Sequence, residues 1–177
     1  YNTALQSAGK IVSVGIGLVA IGLTTRYLGD AGFGEYTTVI SFMGFFGILA
    51  DLGLYLVAAK KISEPEADEK KIMSGVFGLR VVTVIFVLIV GSLLALLFPY
   101  SLEVKKAMFV GIAAFAFVSG TQALIGIFQK YLVYYRVVAS ETVQRLVMLG
   151  GTLLAIYFKL GIAGFIWVQV AANGAHF

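Results

Sequence analysis

Two long stretches of this chain carry no charged residue, and they limit its possible folds more than any other feature. Val81 to Leu102 is a stretch of 22 residues, and Ala107 to Gln129 is a stretch of 23. An α-helix needs about 20 apolar residues to cross the hydrocarbon core of a bilayer. Both stretches are therefore predicted to be transmembrane helices.

The composition extends this prediction to the whole chain, which has 177 residues, of which 60% are hydrophobic and 12% are charged. A soluble domain is about one quarter charged, and one of this size could not bury so much apolar surface. We expect an all-α membrane protein, a bundle of five complete transmembrane helices plus a partial sixth. The predicted spans cover approximately residues 5–27, 36–59, 78–99, 107–129, 138–158 and 161–177.

The distribution of basic residues predicts the orientation. Nine of the 13 Lys and Arg residues fall on the N-terminal flank and on the second and fourth connections, and four fall on the alternate connections. Basic residues accumulate on the cytoplasmic side of a membrane. We therefore expect a multi-pass protein of the cytoplasmic membrane with a cytoplasmic N-terminus and a cytoplasmic loop at 60–75. The net charge of +4 reflects this topology, and we predict no nucleic-acid partner.

The residues that usually carry catalysis are scarce. The chain has no Cys and a single His, His176, and its carboxylates outside the 60–75 loop are scattered singly. We predict no catalytic residues, no metal site and no cofactor. A membrane-embedded glycosyl- or acyltransferase would need an acid–base motif that the sequence lacks, whereas a non-transporting membrane scaffold remains an open alternative.

A carboxylate, Asp51, lies in the middle of the second predicted span. Its insertion at a helix centre costs about 2.5–3.5 kcal/mol, so its side chain is expected to face protein or water. Gly44, Gly47, Asp51 and Tyr55 follow one another at spacings of three and four and form one small and polar face. Asp51 either accepts hydrogen bonds from a neighbouring helix, or lies close enough to the cytoplasmic end of the span to be hydrated, or takes a direct part in transport or coupling.

Further polar residues are predicted within the spans, where such residues usually face a bundle interior or a cavity. Gln122 and Gln129 share a helical face with Ser119, and this face either lines a cavity or forms hydrogen bonds between helices. Arg26 and Arg145 are the deepest basic candidates, although each could also extend its side chain to the interface. Glu141 lies four residues before Arg145 and could pair with it.

The stretch "RYLGDAGFGEYTTVISFMGFFGILADLGLYLVAAKKIS", residues 26–63, resembles the N-terminal part of polysaccharide flippases. These are O-antigen type exporters of the multidrug/oligosaccharidyl-lipid/polysaccharide exporter superfamily. The resemblance implies two lobes around a central cavity, which move a polyprenyl-diphosphate-linked oligosaccharide by alternating access. The partners would be this lipid-linked substrate, membrane lipids and a C-terminal lobe. The chain has no initiator Met and ends within an apolar segment, so we expect it to be one lobe of a longer protein.

The physical requirements of such transport select the candidate binding residues. A diphosphate needs cationic donors within the membrane, and the planar guanidinium of Arg binds two phosphate oxygens at once. We hypothesise that Arg145 contacts the head group in the inward-open state and Arg26 in the outward-open state. The predicted substrate-binding residues are Arg26, Asp51, Gln122, Gln129 and Arg145. A drug/cation antiporter of the same superfamily is the nearest alternative.

The predicted topology can be tested by chemical labelling. If the 60–75 loop is cytoplasmic, a single Cys introduced as Ala67→Cys should resist labelling by a membrane-impermeant thiol reagent added to intact cells, because the reagent cannot reach it. Labelling should proceed once the membrane is permeabilised. Ready labelling in intact cells would reverse the predicted orientation.

Overall fold

The computed structural model describes residues 2–51, 69–130 and 134–176. In these ranges the chain is α-helical apart from short connections at 96–101 and 158–161, and the described residues include no β-strand. The helices are α1 (Asn2–Asp51), α2 (Glu69–Ala95), α3 (Leu102–Lys130), α4 (Tyr134–Tyr157) and α5 (Ile162–His176). The all-helical prediction is confirmed, whereas the number of membrane crossings stays a prediction.

Helix α1 contains a break at Gly29, which divides it into two arms. Gly29 has φ 66° and ψ −178°, a conformation that is essentially restricted to glycine. We call residues 2–28 arm α1a and residues 30–51 arm α1b. A helix of about 20 residues crosses a bilayer core, and each arm is longer than this. Helix α1 therefore contains two candidate membrane crossings, one in each arm.

Three chain reversals lie at the same end of the bundle, which we call the turn end: Gly29, residues 96–101 and residues 158–161. Phe42, in arm α1b, contacts both Phe98 and Tyr100 at ring-centroid distances of 6.3 Å. Tyr27, beside the break, contacts Phe165 near the start of α5, at 5.6 Å. Successive helices therefore run antiparallel, and the opposite end, which we call the far end, holds the starts of α2 and α4.

The buried core has two parts, and α5 contributes to both. The larger part joins arm α1b, α2, α3 and α5 through residues such as Met43, Leu88, Met108 and Ile166. The smaller part joins arm α1a, α4 and α5 through Ala20, Met148 and Ala172. Helix α5 is therefore the element that connects the two groups of helices.

Helices approach closely at small residues, as expected for helices that associate in lipid. A Cβ atom added to Gly91 of α2 would lie 2.7 Å from the ring of Phe46 in arm α1b. A Cβ atom added to Gly151 of α4 would lie 2.7 Å from Val168 of α5. These glycines belong to the pairs Gly91–Ala95 and Gly151–Ala155, whose spacing predicts such contacts.

The outer faces of the helices are apolar. Ile11, Ile48 and Leu97 are 72%, 76% and 81% exposed. Two described segments, Gly9–Ala50 and Gly78–Ala95, are long and apolar enough to cross a membrane. In the most apolar 18-residue part of each segment, only 22% and 33% of the residues are buried. The core helix of a soluble protein would be mostly buried, so these outward faces indicate contact with lipid.

Two details differ from the sequence-based expectation. Residues 29–36 contain three glycines, a composition that predicts a turn, but the helix resumes directly after Gly29, because one glycine in this conformation suffices to reverse the chain. The described part of α2 begins at Glu69, so residues 69–75 of the predicted loop are helical. In the rest of that loop, Ser63 and Glu66 have the spacing of a helix capping box, but these residues lie outside the described part of the chain.

The break at Gly29 yields a stability prediction. Gly29→Ala should lower the free energy of unfolding by about 1–3 kcal/mol, because a side chain makes this backbone conformation unfavourable. Gly34→Ala is the matched control, since a Cβ at Gly34 meets nothing within 4 Å and this residue is helical. Thermal unfolding of the purified protein in detergent should show a lower midpoint for Gly29→Ala only. Equal midpoints for the two variants would contradict the break.

Candidate functional site: a polar layer around Arg145

Polar and charged side chains from three helices meet in the half of the bundle nearer the far end. Arm α1a contributes Lys10, Ser13 and Gly17, α4 contributes Glu141, Thr142 and Arg145, and α5 contributes His176. We call these seven residues the Arg145 layer. Polar groups at this depth are costly in a membrane and usually serve function or interhelical hydrogen bonding.

The guanidinium of Arg145 lies against the backbone of arm α1a at Gly17. A Cβ atom built on Gly17 would lie 3.3 Å from Nη1 and 3.4 Å from Cδ and Cζ of Arg145. A side chain at position 17 would therefore have to displace the guanidinium. Glycine at this position allows a long cationic side chain to lie between two packed helices.

One turn closer to the far end, Ser13 joins arm α1a to α4. The Ser13 and Thr142 hydroxyl oxygens are 2.8 Å apart, and the Thr142 hydroxyl donates to the Val138 carbonyl oxygen at 2.8 Å. A hydroxyl has one proton to donate, so Ser13 donates to Thr142. Ser13 is fully buried, and this bond fixes the register of the two helices beside Arg145.

Two nitrogen atoms in the layer are buried and have no hydrogen-bond partner within the described part of the chain: Nε of Arg145 and Nε2 of His176. Most buried polar groups in proteins have a partner. The guanidinium Nε is a donor, and the imidazole Nε2 donates when it carries a proton. Phosphate oxygens accept from both kinds of donor, so the layer has the chemistry to hold an anion.

The carboxylate of Glu141 is paired with Lys10 rather than with Arg145. Glu141 Oε2 lies 3.8 Å from Lys10 Nζ, with side-chain exposures of 19% and 55% respectively. An exposed pair of this kind contributes little stability, but it balances the negative charge of Glu141. The positive charge of Arg145 then remains as the net charge of the layer when His176 is neutral. The sequence predicts that Glu141 could pair with Arg145 within α4, but Glu141 instead pairs with Lys10 of arm α1a.

The layer includes a residue that sequence reasoning set aside. The sequence pattern gives no role to His176, the single His of the chain, yet it lies within electrostatic range of Glu141 and Arg145. Its spacing gives no indication of this position, since the three residues come together only when α4 packs beside α5.

A second arginine was also missed. The count of basic residues places Arg80 on the second connection, and the sequence limits the candidate binding arginines to Arg26 and Arg145. That expectation is wrong: Arg80 lies inside α2 and is only 3% exposed. Its Nε donates to Ser119 Oγ of α3 at 2.8 Å. The sequence signal is that Arg80 is the single charge between Ile72 and Leu102.

Arg26 does not belong to the Arg145 layer. It is exposed and lies three residues before Gly29, near the turn end. Gly17, which contacts Arg145, is nine residues away, about 14 Å along the helix axis. The two arginines are therefore at different depths of the bundle.

The other predicted site residues, Asp51, Gln122 and Gln129, have side chains outside the described part of the structure. Their neighbours give partial information. Cβ positions at Gly44 and Gly47 lie 3.9 and 3.5 Å from Phe115 of α3, so that face of arm α1b packs against protein. Ser119 lies on the helical face that it shares with the two glutamines, and it accepts a hydrogen bond from Arg80 of α2. At Ser119, this face therefore forms a hydrogen bond between helices. The roles of the three residues stay predictions.

Several polar side chains outside the layer link helices and are paired. Gln144 Nε2 donates to Asn173 Oδ1 at 2.7 Å, and Asn173 Nδ2 donates to the Ala114 carbonyl at 3.2 Å. Gln169 Nε2 donates to the Tyr36 hydroxyl at 2.8 Å. These bonds connect α5 to α4, α3 and arm α1b, and their role is to hold the bundle together.

The apolar outer faces and the Arg145 layer define a helical membrane protein with a cationic group inside its bundle. The chain belongs to the polysaccharide biosynthesis protein family, whose family model matches residues 1–176. This match confirms the resemblance seen at residues 26–63 and indicates a role in polysaccharide synthesis or export. No curated protein and no solved structure matches the chain.

The contact between Gly17 and Arg145 can be tested with a matched pair of variants. Gly17→Leu should displace the guanidinium and lower polysaccharide export several-fold at equal expression. Gly15→Leu adds the same side chain two residues earlier, where a Cβ meets nothing within 4 Å, and should keep export near normal. Export would be measured as surface polysaccharide in cells that depend on the complete protein. Normal export with Gly17→Leu would show that export does not require the guanidinium of Arg145 to lie at Gly17.

Proposed function

We propose that this chain forms one lobe of a flippase that moves a polyprenyl-diphosphate-linked oligosaccharide across the cytoplasmic membrane by alternating access. The family supports a role in polysaccharide synthesis or export. The observation that favours flipping of a diphosphate is the Arg145 layer, in which an arginine and a histidine have buried nitrogen atoms without a hydrogen-bond partner among the described residues. We propose a transporter, not an enzyme, with a second lobe completing the pathway.

The chemistry of the head group explains why such a layer is needed. Moving even one ion out of water into hydrocarbon without compensation has a large free-energy cost, and a diphosphate carries more than one negative charge. A cation inside the bundle lowers this cost along the pathway. Arginine suits the task because its guanidinium stays charged and binds two phosphate oxygens with parallel hydrogen bonds.

The packing around Arg145 supports the same assignment. The guanidinium of Arg145 lies against arm α1a at Gly17, and the bond between Ser13 and Thr142 fixes the register of the two helices, so little side-chain entropy is lost when an anion binds. Lys10 holds Glu141, which keeps the nearest described carboxylate from competing for Arg145. We propose that Arg145 binds the diphosphate in the inward-open state.

Arg26 is proposed to act later in the cycle. Arg26 is exposed and lies near the turn end, whereas the Arg145 layer lies nearer the far end. On the predicted topology the turn end faces the outside. The head group would leave Arg145 and meet Arg26 in the outward-open state. Asp51, Gln122 and Gln129 are proposed to line the same pathway.

The test replaces each arginine by Lys and by Gln in the complete protein and measures surface polysaccharide at matched expression. Gln should lower export more than Lys at both positions, because Lys keeps the charge and loses only the planar fork. For a binding contribution of about 1.5–3 kcal/mol, the Arg145→Gln variant should lose about tenfold or more. Lys106→Gln removes an exposed charge at the turn end and is the control.

Two results would contradict this proposal. Normal export by the double variant Arg26→Gln/Arg145→Gln would show that other residues bind the diphosphate. Efflux of a cationic drug by the wild-type protein, without dependence on Arg145 and without polysaccharide export, would favour a drug/cation antiporter, since a cationic substrate is repelled by a cationic site.

A further inference from the structure

We propose that residues 157–160, which we call the α4–α5 turn, bind the phosphate of an anionic phospholipid through Lys159. This proposal does not depend on the flippase proposal, because it concerns a bilayer lipid at the turn end, away from the Arg145 layer. Its basis is a lysine in a backbone conformation that favours glycine, surrounded by exposed aromatic and aliphatic side chains.

Lys159 occupies a position at the end of α4 that is usually glycine. Its φ is 51°, and it is the one residue other than glycine with a positive φ in the described ranges. The Leu160 amide donates to the Ala155 carbonyl oxygen at 2.8 Å. The Lys159 amide donates to the Ile156 carbonyl oxygen at 3.1 Å. These two bonds form a Schellman motif, in which glycine is the usual residue at the position of Lys159.

The lysine therefore makes the turn less stable than glycine would. A side chain is unfavourable in the left-handed conformation, whereas glycine adopts it freely. The two backbone bonds that fix the turn need no side chain, so Lys159 contributes nothing to them that glycine would lack. What the lysine adds is a cation at a fixed place on the surface.

The side chains around Lys159 are largely apolar and face outward. Tyr157, Phe158 and Leu160 are 79%, 63% and 42% exposed. The rings of Tyr157 and Phe158 contact each other at a centroid distance of 5.2 Å. Tyrosine rings of membrane proteins are concentrated at the interface between hydrocarbon and water. A turn with this surface is suited to lie against the bilayer.

The depth of Lys159 matches that of a lipid phosphate. Lys159 is the single charged residue between Arg145 and His176, and it lies after the end of α4 and before the start of α5. Lipid phosphates lie just outside the hydrocarbon core. A lysine at the end of a span reaches them while its methylene groups stay on apolar surface. On the predicted topology these phosphates belong to the outer leaflet.

The charge of Lys159 is available to a ligand. Its side chain is exposed and forms no ion pair with a carboxylate of the described residues. The carboxylate of Glu103 lies beside Gly161 but does not pair with Lys159. Lysines near a membrane surface attract anionic lipids. A zwitterionic lipid carries its own cation beside the phosphate, so an anionic lipid such as phosphatidylglycerol is favoured.

The test measures which lipids contact the α4–α5 turn. The complete protein, with Tyr157→Trp and every other tryptophan replaced by Phe, would be placed in vesicles of phosphatidylcholine and phosphatidylglycerol. Brominated acyl chains quench tryptophan on contact, so brominating one lipid at a time gives their relative binding beside the turn. We expect a preference of about fivefold for phosphatidylglycerol, which Lys159→Gln should remove. Lys106→Gln, which removes an exposed charge at the same end, should leave the preference unchanged.

A second variant separates the charge of Lys159 from its backbone conformation. Lys159→Gly should remove the lipid preference as Lys159→Gln does. It should also raise the midpoint of thermal unfolding in detergent, because glycine adopts this conformation without strain. Lys159→Gln should not raise the midpoint, since glutamine keeps a side chain there. Loss of the preference in a more stable variant cannot result from misfolding.

Four results would overturn the proposal. Equal quenching by the two brominated lipids, or an unchanged preference in either Lys159 variant, would show that Lys159 binds no lipid phosphate. Absence of quenching by both lipids would show that protein covers the turn. Removal of the preference by millimolar inorganic phosphate, at constant ionic strength, would assign Lys159 to a soluble anion. An unchanged or lower unfolding midpoint with Lys159→Gly would remove the structural basis of the proposal.

Discussion

The structure depends on one constraint, which is that lipid solvates apolar side chains as well as a neighbouring helix does. Hydrophobic burial, which drives soluble proteins to fold, therefore gives little preference for one helix arrangement over another. Close approach at small residues and a few polar links must supply that preference. Phe46 lies over Gly91, Val168 lies over Gly151, and Asn173 joins α5 to both α3 and α4. Side chains as large as Leu97 remain exposed on the outside.

The same constraint gives meaning to the charged residues inside the bundle. In the hydrocarbon core of the bilayer, a charged side chain is tolerated only where packing and hydrogen bonds compensate for its loss of hydration. Arg145 lies in a space that exists because position 17 is glycine, and Arg80 is held by Ser119. The two arginines lie on different helix pairs, α1a–α4 and α2–α3. We propose the first as the binding site of the transported diphosphate, whereas the second joins α2 to α3.

The sequence predicts the helical class well because charge-free runs such as Val81 to Leu102 permit few other structures. Residues 26–63 are enough to identify the family. The site was harder to predict, since a one-dimensional charge pattern cannot distinguish a flanking arginine from a buried one. Arg80 interrupts the otherwise uncharged stretch from Ile72 to Leu102, and the hydrogen bond to Ser119 shows that it lies inside the bundle. His176 joins Arg145 through the packing of α5, which no local spacing encodes.

The basic-residue bias survives these changes in assignment. When Arg80 and Arg145 are counted as intramembrane residues, seven basic residues remain on the predicted cytoplasmic flanks, against four on the other side. The predicted orientation therefore does not rest on the two arginines that the structure places within helices. It assigns the Arg145 layer to the cytoplasmic half of the membrane, where a substrate made inside the cell would first bind.

Passage of a diphosphate-linked lipid past Arg145 can be measured by translocation in a reconstituted system. The complete protein would be placed in liposomes with a fluorescent short-chain polyprenyl-diphosphate oligosaccharide. A membrane-impermeant quencher would then report which leaflet holds the label. We expect translocation by the wild-type protein and a loss of about tenfold or more in rate with Arg145→Gln, the size expected for a charged hydrogen bond. Equal rates for the two proteins, or no translocation by an active and folded wild-type protein, would contradict this expectation.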